Sequence, residues 1–199
     1  EGDQLELAGD EGRHAAKVAR IGVGEQLPLT DAPGRQVLAE VIAVRKEALD
    51  LPLLADPSPA VQRLPRLALV QALATGGRDE LGADRIVPWI AKRSVSVWRG
   101  EKLAKGRAKW EGTARAAVKQ CRRPGIPAVD APVTTNALVE DLRARAADGT
   151  LVLVLHEQES VGVMSLAEEL RGASESGIEE IVVVVGPEGG IDESELEAL

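Results

Sequence analysis

Four short apolar runs constrain this chain more than any other feature. They are Leu67-Ala68-Leu69-Val70-Gln71-Ala72-Leu73, Arg85-Ile86-Val87-Pro88-Trp89, Leu151 to Leu155 and Ile181 to Val185. A strand with one wet face alternates apolar and polar residues, whereas a nearly unbroken apolar run fits a strand buried on both faces of a parallel sheet. Such a sheet needs helices on its faces. Between about Glu101 and Cys121, Leu103, Trp110, Ala114, Ala117, Val118 and Cys121 recur at helical spacing, and Lys102, Lys105, Lys109, Arg115 and Lys119 occupy much of the rest. That spacing predicts a helix with its apolar stripe on the sheet and a basic outer side. Gly106 and Gly112 weaken it by roughly 1 kcal/mol each. A second helix is predicted from Ser165 to Arg171.

The amino-terminal part has a different texture. From Leu5 to Leu51 it reads as short strands broken at Gly22-Val23-Gly24 and Asp31-Ala32-Pro33-Gly34, followed by a β-rich run from Gln36 to Val44. Four prolines, Pro52, Pro57, Pro59 and Pro65, then fill a stretch without periodicity, the composition of a linker. The expected organisation is therefore a small β-barrel over 1–52, a linker over 53–65 and an α/β domain over 66–199. A chain of 199 residues is long enough for two cores.

The net charge of −8 is unevenly spread. Residues 85–123 hold 12 basic and 2 acidic groups, a block of +10 between segments of −5 and −13. Such a block is the footprint a phosphate backbone would meet, or else a solvated helix face. With three Trp and no Phe or Tyr, aromatic surface for base stacking is scarce. No apolar run approaches the roughly 20 residues of a membrane helix, and Glu1-Gly2-Asp3 does not open a signal peptide. A cytoplasmic protein without a membrane partner is expected. The single Cys121 excludes an internal disulfide, and His14 and His156 lack the companions of a metal site, so no metal is expected.

The segment richest in chemistry follows the last apolar run: Gly186-Pro187-Glu188-Gly189-Gly190-Ile191-Asp192-Glu193-Ser194-Glu195. A buried strand here enters a glycine turn and then a helix, with Asp192 as the N-cap and Glu195 three residues on as its capping-box partner. In parallel sheets ligands sit at the carboxyl ends of strands, and paired glycines let a ligand approach the backbone. A tight turn without any ligand would use the same residues. The turn is not a phosphate loop, since no Lys-Ser/Thr follows the glycines.

This turn after a valine strand resembles the S-adenosylmethionine-binding loop of the RsmE-like branch of the SPOUT RNA methyltransferases. Other blocks are similar to that family in the same order. Asp10 to Arg20 with Val23-Gly24-Glu25 resembles its "H…VLR…G" signature. Arg85-Ile86-Val87-Pro88-Trp89, Lys92-Arg93-Ser94-Val95 and Trp98 to Lys102 resemble "RI.P…ERS…KW.GEK". Ala116 to Arg123 with Ile126-Pro127 resembles "AAEQSGR..IP", and Leu155-His156-Glu157 resembles the loop after the preceding strand.

The resemblance implies a SPOUT trefoil-knot domain with a PUA-like β-barrel, acting as a homodimer that methylates uridine N3 in 16S ribosomal RNA of the small subunit. It implies that Leu155, His156, Glu157, Gly186, Pro187, Glu188, Gly189, Gly190 and Ile191 hold the cofactor. His14, Arg20, Lys92, Arg93, Ser94, Gln120, Arg122 and Arg123 would meet RNA. No general base is assigned; Glu188 is the one catalytic candidate, with stabilisation of its own turn as the alternative. Two rivals remain from other classes: an RNA-binding module without catalysis, and a nucleotide-binding α/β enzyme using the turn for phosphate. The chain departs from the family pattern at two places. Only 11 residues separate Leu73 from Arg85, short for a parallel crossover, so residues are expected to be absent near Glu80-Leu81. The family's segment after Leu199, which completes the knot, is also missing.

Overall fold

The computed structural model describes residues 4–59, 64–73, 83–121, 125–157, 162–166, 172 and 177–199. It divides into two compact units, Glu1–Val61 and Gln62–Leu199.

In the first unit, β1 (Gln4–Leu7) pairs antiparallel with β5 (Leu49–Pro52), which also pairs with β4 (Ala43–Val44). A separate hairpin joins β2 (Gln26–Thr30) to β3 (Gln36–Glu40). Asp31 fixes its turn: Oδ1 accepts the Arg35 backbone N–H at 2.8 Å and Oδ2 accepts Arg35 Nε at 2.7 Å. Leu27 and Leu29 alternate inward and join Ala39, Val41, Leu49 and Leu51 in one core. The β-rich run from Gln36 to Val44 is two strands, not one. Val41 leaves the ladder to donate its N–H to Glu25 O at 2.9 Å and to accept from Gly24 N–H at 2.8 Å.

The second unit holds a parallel sheet in the order β10–β11–β6–β7–β8, with β9 also on β7. Its strands are β6 (Arg66–Ala72), β7 (Arg85–Ile90), β8 (Ala128–Val129), β9 (Val133–Thr134), β10 (Leu151–Leu155) and β11 (Glu180–Val185). All four apolar runs of the sequence are strands in it. Alternation assigns the faces. Ala68, Val70 and Ala72 pack with Val182, Val184, Leu138 and Leu142, the last two from α3 (Thr135–Ala147). Leu69 and Ile86 point the other way, to Ala114 and Trp110 of α2 (Glu101–Cys121). Helices thus cover both faces, as unbroken apolar strands require.

Helix α2 has the predicted bounds, and Lys102, Lys105, Lys109 and Arg115 are exposed. Gly106 has a reason beyond permissiveness: an added Cβ would lie 2.5 Å from the ring of Trp98, which meets Trp110 edge to face at 5.6 Å. The helix predicted from Ser165 to Arg171 is replaced, where described, by a single 3-10 turn, Val163–Leu166; residues 167–171 lie outside the described residues. Glu80 and Leu81 also lie outside them, although β6 and β7 do pair in parallel, Ala68 opposite Arg85.

A short helix α1 (Gly9–Arg13) follows β1, and Gly12 is buried in it. A Cβ there would sit 2.2 Å from Leu7 O and 2.8 Å from Glu47 O, both backbone atoms that cannot swing away. Gly12→Ala is therefore expected to cost about 1–3 kcal/mol through overpacking, despite the better helix propensity of alanine. Urea denaturation that gives equal or greater stability would contradict this packing.

Candidate functional site

The carboxyl ends of β10 and β11 lie side by side, Leu155 opposite Val185 in register. Leu155 is 39% exposed, an uncovered apolar side chain at the end of a packed strand. Beyond β11 the chain turns through Gly186-Pro187-Glu188-Gly189-Gly190 and returns Ile191 to the core, where it is 4% exposed. Gly186 makes that return possible, since a Cβ on it would lie 2.6 Å from Ile191 Cγ1. Gly190 adopts φ +74° and donates its N–H to Pro187 O at 2.9 Å. A Cβ on Gly190 would stand 3.2 Å from Glu157 Oε1, so the loop after β10 lies against the turn. At Gly189 an added Cβ would make only ordinary contacts, with Arg93 Cβ at 3.8 Å and Arg93 O at 3.9 Å.

The nine residues expected to hold the cofactor are grouped at these two strand ends, with Leu155, Glu157, Glu188 and Gly189 exposed and Pro187 buried. Ile191 differs, because its side chain belongs to the core and only its backbone faces the turn. An adenosyl ligand could be met here by the exposed Leu155 against a ring and by the backbone of Gly189, which no side chain of its own covers. The exposed carboxylates of Glu157 and Glu188 suit a cationic ligand and oppose a phosphate.

Two acidic residues tie this turn to the loop after β7. Asp192 caps the short helix α4 (Glu193–Leu196), accepting the Ser194 N–H at 3.2 Å and hydroxyl at 2.6 Å. The same carboxylate meets Lys92 Nζ at 3.3 Å and an Arg93 guanidinium nitrogen at 3.6 Å. Hydrogen bonds from Ser194 and then Lys92 hold the Asp192 carboxyl below its ordinary value. Its charge, and with it this cap, is present above the usual carboxylate range and lost as pH falls through the lowered value.

Glu195 does not complete the predicted capping box. Its carboxylate turns inward and is 1% exposed. There it accepts the Lys92 backbone N–H at 3.0 and 3.2 Å and the Thr135 hydroxyl at 2.5 Å; Thr135 Oγ1 in turn accepts Trp89 Nε1–H at 3.1 Å. The physical reason is α3. Its N-cap Thr134 makes no side-chain cap and its first turn holds no acid, so a buried anion beside Thr135 meets the positive end of a 13-residue helix. The spacing from Asp192 that signalled a capping box also fits this role, and nothing local distinguishes the two.

The predicted RNA contacts fall in both units. Lys92, Arg93 and Ser94 stand beside the turn, with Arg93 Nη1 donating to Gly189 O and Ile191 O at 3.5 Å each. His14 and Arg20 are exposed in the amino-terminal unit, Arg20 at φ +55°. Gln120 belongs to the last turn of α2, its side chain outside the described structure, and Arg122 and Arg123 lie outside the described residues. Among the described residues no cluster of His, Cys, Asp and Glu is arranged for a metal, and no helix is long and apolar enough to cross a membrane.

The family model described as an RNA methyltransferase domain matches residues 67–199, and that of an RNA methyltransferase PUA domain matches 7–53. Ribosomal RNA small subunit methyltransferase E of Mycobacterium bovis is 40% identical over 199 residues, which cover 96% of this chain and 73% of the relative. This chain belongs to the ribosomal RNA small subunit methyltransferase E family. The Bacillus subtilis member is 26% identical over 208 residues, covering 100% of this chain and 79% of its own. A putative methyltransferase of Legionella pneumophila, solved with bound SAM, superposes with a TM-score of 0.77 at 27% identity, covering 99% of this chain and 79% of that one. The methyltransferase E family member of Neisseria gonorrhoeae shares the fold, with a TM-score of 0.76 at 22% identity over 99% of this chain and 79% of that one.

Within this family member the two glycines of the turn make different demands. Gly190→Ala should lose about 1–2 kcal/mol, the cost of a left-handed conformation for an L side chain. Gly189→Val should stay within about 0.5 kcal/mol of the parent, since Gly189 has no positive φ and its Cβ would make only ordinary contacts with Arg93, the nearest at 3.8 Å. Chemical denaturation of both variants checks this, and a reversed order would contradict the turn geometry.

Proposed function

We propose that this chain transfers a methyl group from S-adenosylmethionine to N3 of a uridine in 16S ribosomal RNA of the small subunit. The observation that carries the proposal is 40% identity to a ribosomal RNA small subunit methyltransferase E along nearly the whole chain. S-adenosylmethionine supplies an activated methyl group on a sulfonium, so the protein's work is positioning and removal of one proton. Leu155, Glu157 and the backbone of Gly186 to Gly190 would hold the cofactor. Arg93, bonded to two carbonyls of that turn, would bring an RNA phosphate to the same edge. Uridine N3 lies on the Watson–Crick edge, so the target must be unpaired before it reacts. Glu188, exposed at the tip of the turn, is the candidate to assist loss of the N3 proton; unchanged kcat in Glu188→Gln would remove it from that role.

The finer architecture belongs to the same proposal. A trefoil knot and a two-fold homodimer follow from the family resemblance. A closed amino-terminal barrel is supported by the isolated bridges Gln36↔Ser58 and Ala39↔Leu53, which link the hairpin to the strand-ending segment. A cytoplasmic setting suits a ribosomal substrate.

The test uses the full-length protein, labelled S-adenosylmethionine and small subunits or free 16S RNA. Label should enter the RNA and create a reverse-transcription stop, because an N3 methyl removes a pairing donor. Gly189→Val should bind S-adenosylmethionine at least tenfold more weakly in isothermal titration while remaining folded. Arg93→Ala should weaken RNA binding and reduce its salt slope by about one. Cofactor binding without label transfer to either RNA would favour the non-catalytic reading and overturn the proposal.

A further inference from the structure

A cavity of about 490 Å³ opens at the carboxyl end of β7, and it is lined by none of the residues assigned to the cofactor. Its size lies within the roughly 300–1,000 Å³ of small-ligand pockets. Between β11, which runs into the glycine turn, and β7 lies the whole width of β6, so the cavity and the turn occupy different strand ends. Lys92 and Glu195, which brace the cofactor turn, also line this cavity, making the two neighbours.

The lining has a particular chemistry. Ile90, Ala91 and Val97 provide an apolar wall, with Val97 49% exposed at its mouth. Arg99 and Asn136 contribute a guanidinium and an amide that have no hydrogen bond or ion pair among the described residues. Ser94 Oγ is buried without a partner on the same loop. The one carboxylate, Glu195, already accepts from Lys92 and Thr135, and Lys92 Nζ is committed to Asp192 and Ser194, so neither is free for a cation or a second anion. What remains is a flat apolar surface, one amide able to donate and accept, and one planar cation suited to bidentate phosphate binding. An unpaired ribonucleotide offers the matching parts: a ring face, a base edge and a phosphate.

We propose that this cavity receives one unpaired nucleotide of the RNA substrate, with its base against Ile90, Ala91 and Val97, its edge on Asn136 and its phosphate on Arg99. This rests on the methyltransferase reading. Arg99 belongs to the +10 segment and is exposed, which favours a nucleotide within a strand over a small molecule sealed from solvent.

The test measures RNA affinity and methylation separately on the full-length protein. Arg99→Ala should weaken binding of a single-stranded 16S fragment by about tenfold, the worth of one charge-assisted contact. Ser96→Trp, which fills the cavity, should weaken it at least as much, and both variants should keep wild-type S-adenosylmethionine affinity and melting temperature. Uridine 5′-monophosphate should compete with the RNA only at millimolar concentration. Wild-type RNA affinity in folded Ser96→Trp overturns the proposal. So does micromolar binding of the free nucleotide that Ser96→Trp abolishes without affecting RNA, which would assign the cavity to a free nucleotide. RNA affinity is read without turnover, so a wild-type protein that binds RNA and cofactor but transfers no methyl would defeat the functional reading alone.

Discussion

A buried carboxylate holds the carboxyl-end edge of the parallel sheet together. Glu195 lies on the short helix after the glycine turn, yet its acceptors serve Lys92 on the loop after β7 and Thr135 at the start of α3. Leaving such a group without donors would cost on the order of 1–3 kcal/mol or more, so the three elements cannot drift apart cheaply. The anion is compensated by the end of α3 instead of a buried cation. Consequently Arg93, one residue beyond Lys92, is carried to the carbonyls of the glycine turn.

The second layer of order is exposed and weaker. Asp192 meets Lys92 and Arg93 at 3.3 and 3.6 Å on a surface where each such pair is worth about 0–1 kcal/mol. The division suits a site that must admit RNA: the backbone of the turn is fixed from inside, and Arg93, the cation that would meet phosphate, is only lightly engaged. Some of the +10 segment is spent on structure, as Arg85 pairs with Asp130 at 2.5 Å and Arg107 with Glu111 at 3.0 Å. Arg99, Lys102, Lys109 and Arg115 are exposed and available.

The parallel sheet was legible because a two-sided burial leaves a direct trace in Val-, Leu- and Ile-rich runs, and α2 was legible because its stripe is long. Helix α3 escaped notice. Its buried residues are only Leu138, Val139 and Leu142, set in a stretch of Ala, Arg and acidic residues that reads as polar surface. The glycine turn was placed correctly, but sequence cannot say which of two adjacent glycines takes a positive φ; it is Gly190 and not Gly189. Glu195 was read as a local cap because the capping-box spacing is local information, whereas its partners lie 60 and 103 residues away. The cavity at the end of β7 likewise has no trace in the sequence, since Arg99 and Asn136 come to line it only through the fold.

Hydrogen exchange at the Lys92 backbone amide tests the role of Glu195 most directly. Lys92 itself is exposed and sits in a loop, so without the carboxylate its amide would exchange at the rate of an open segment. Protection comparable to the β7 amides in the parent chain, lost in Glu195→Ala while β7 stays protected, is the result expected. Fast exchange at Lys92 in the parent chain would contradict the claim that a buried carboxylate organises this edge.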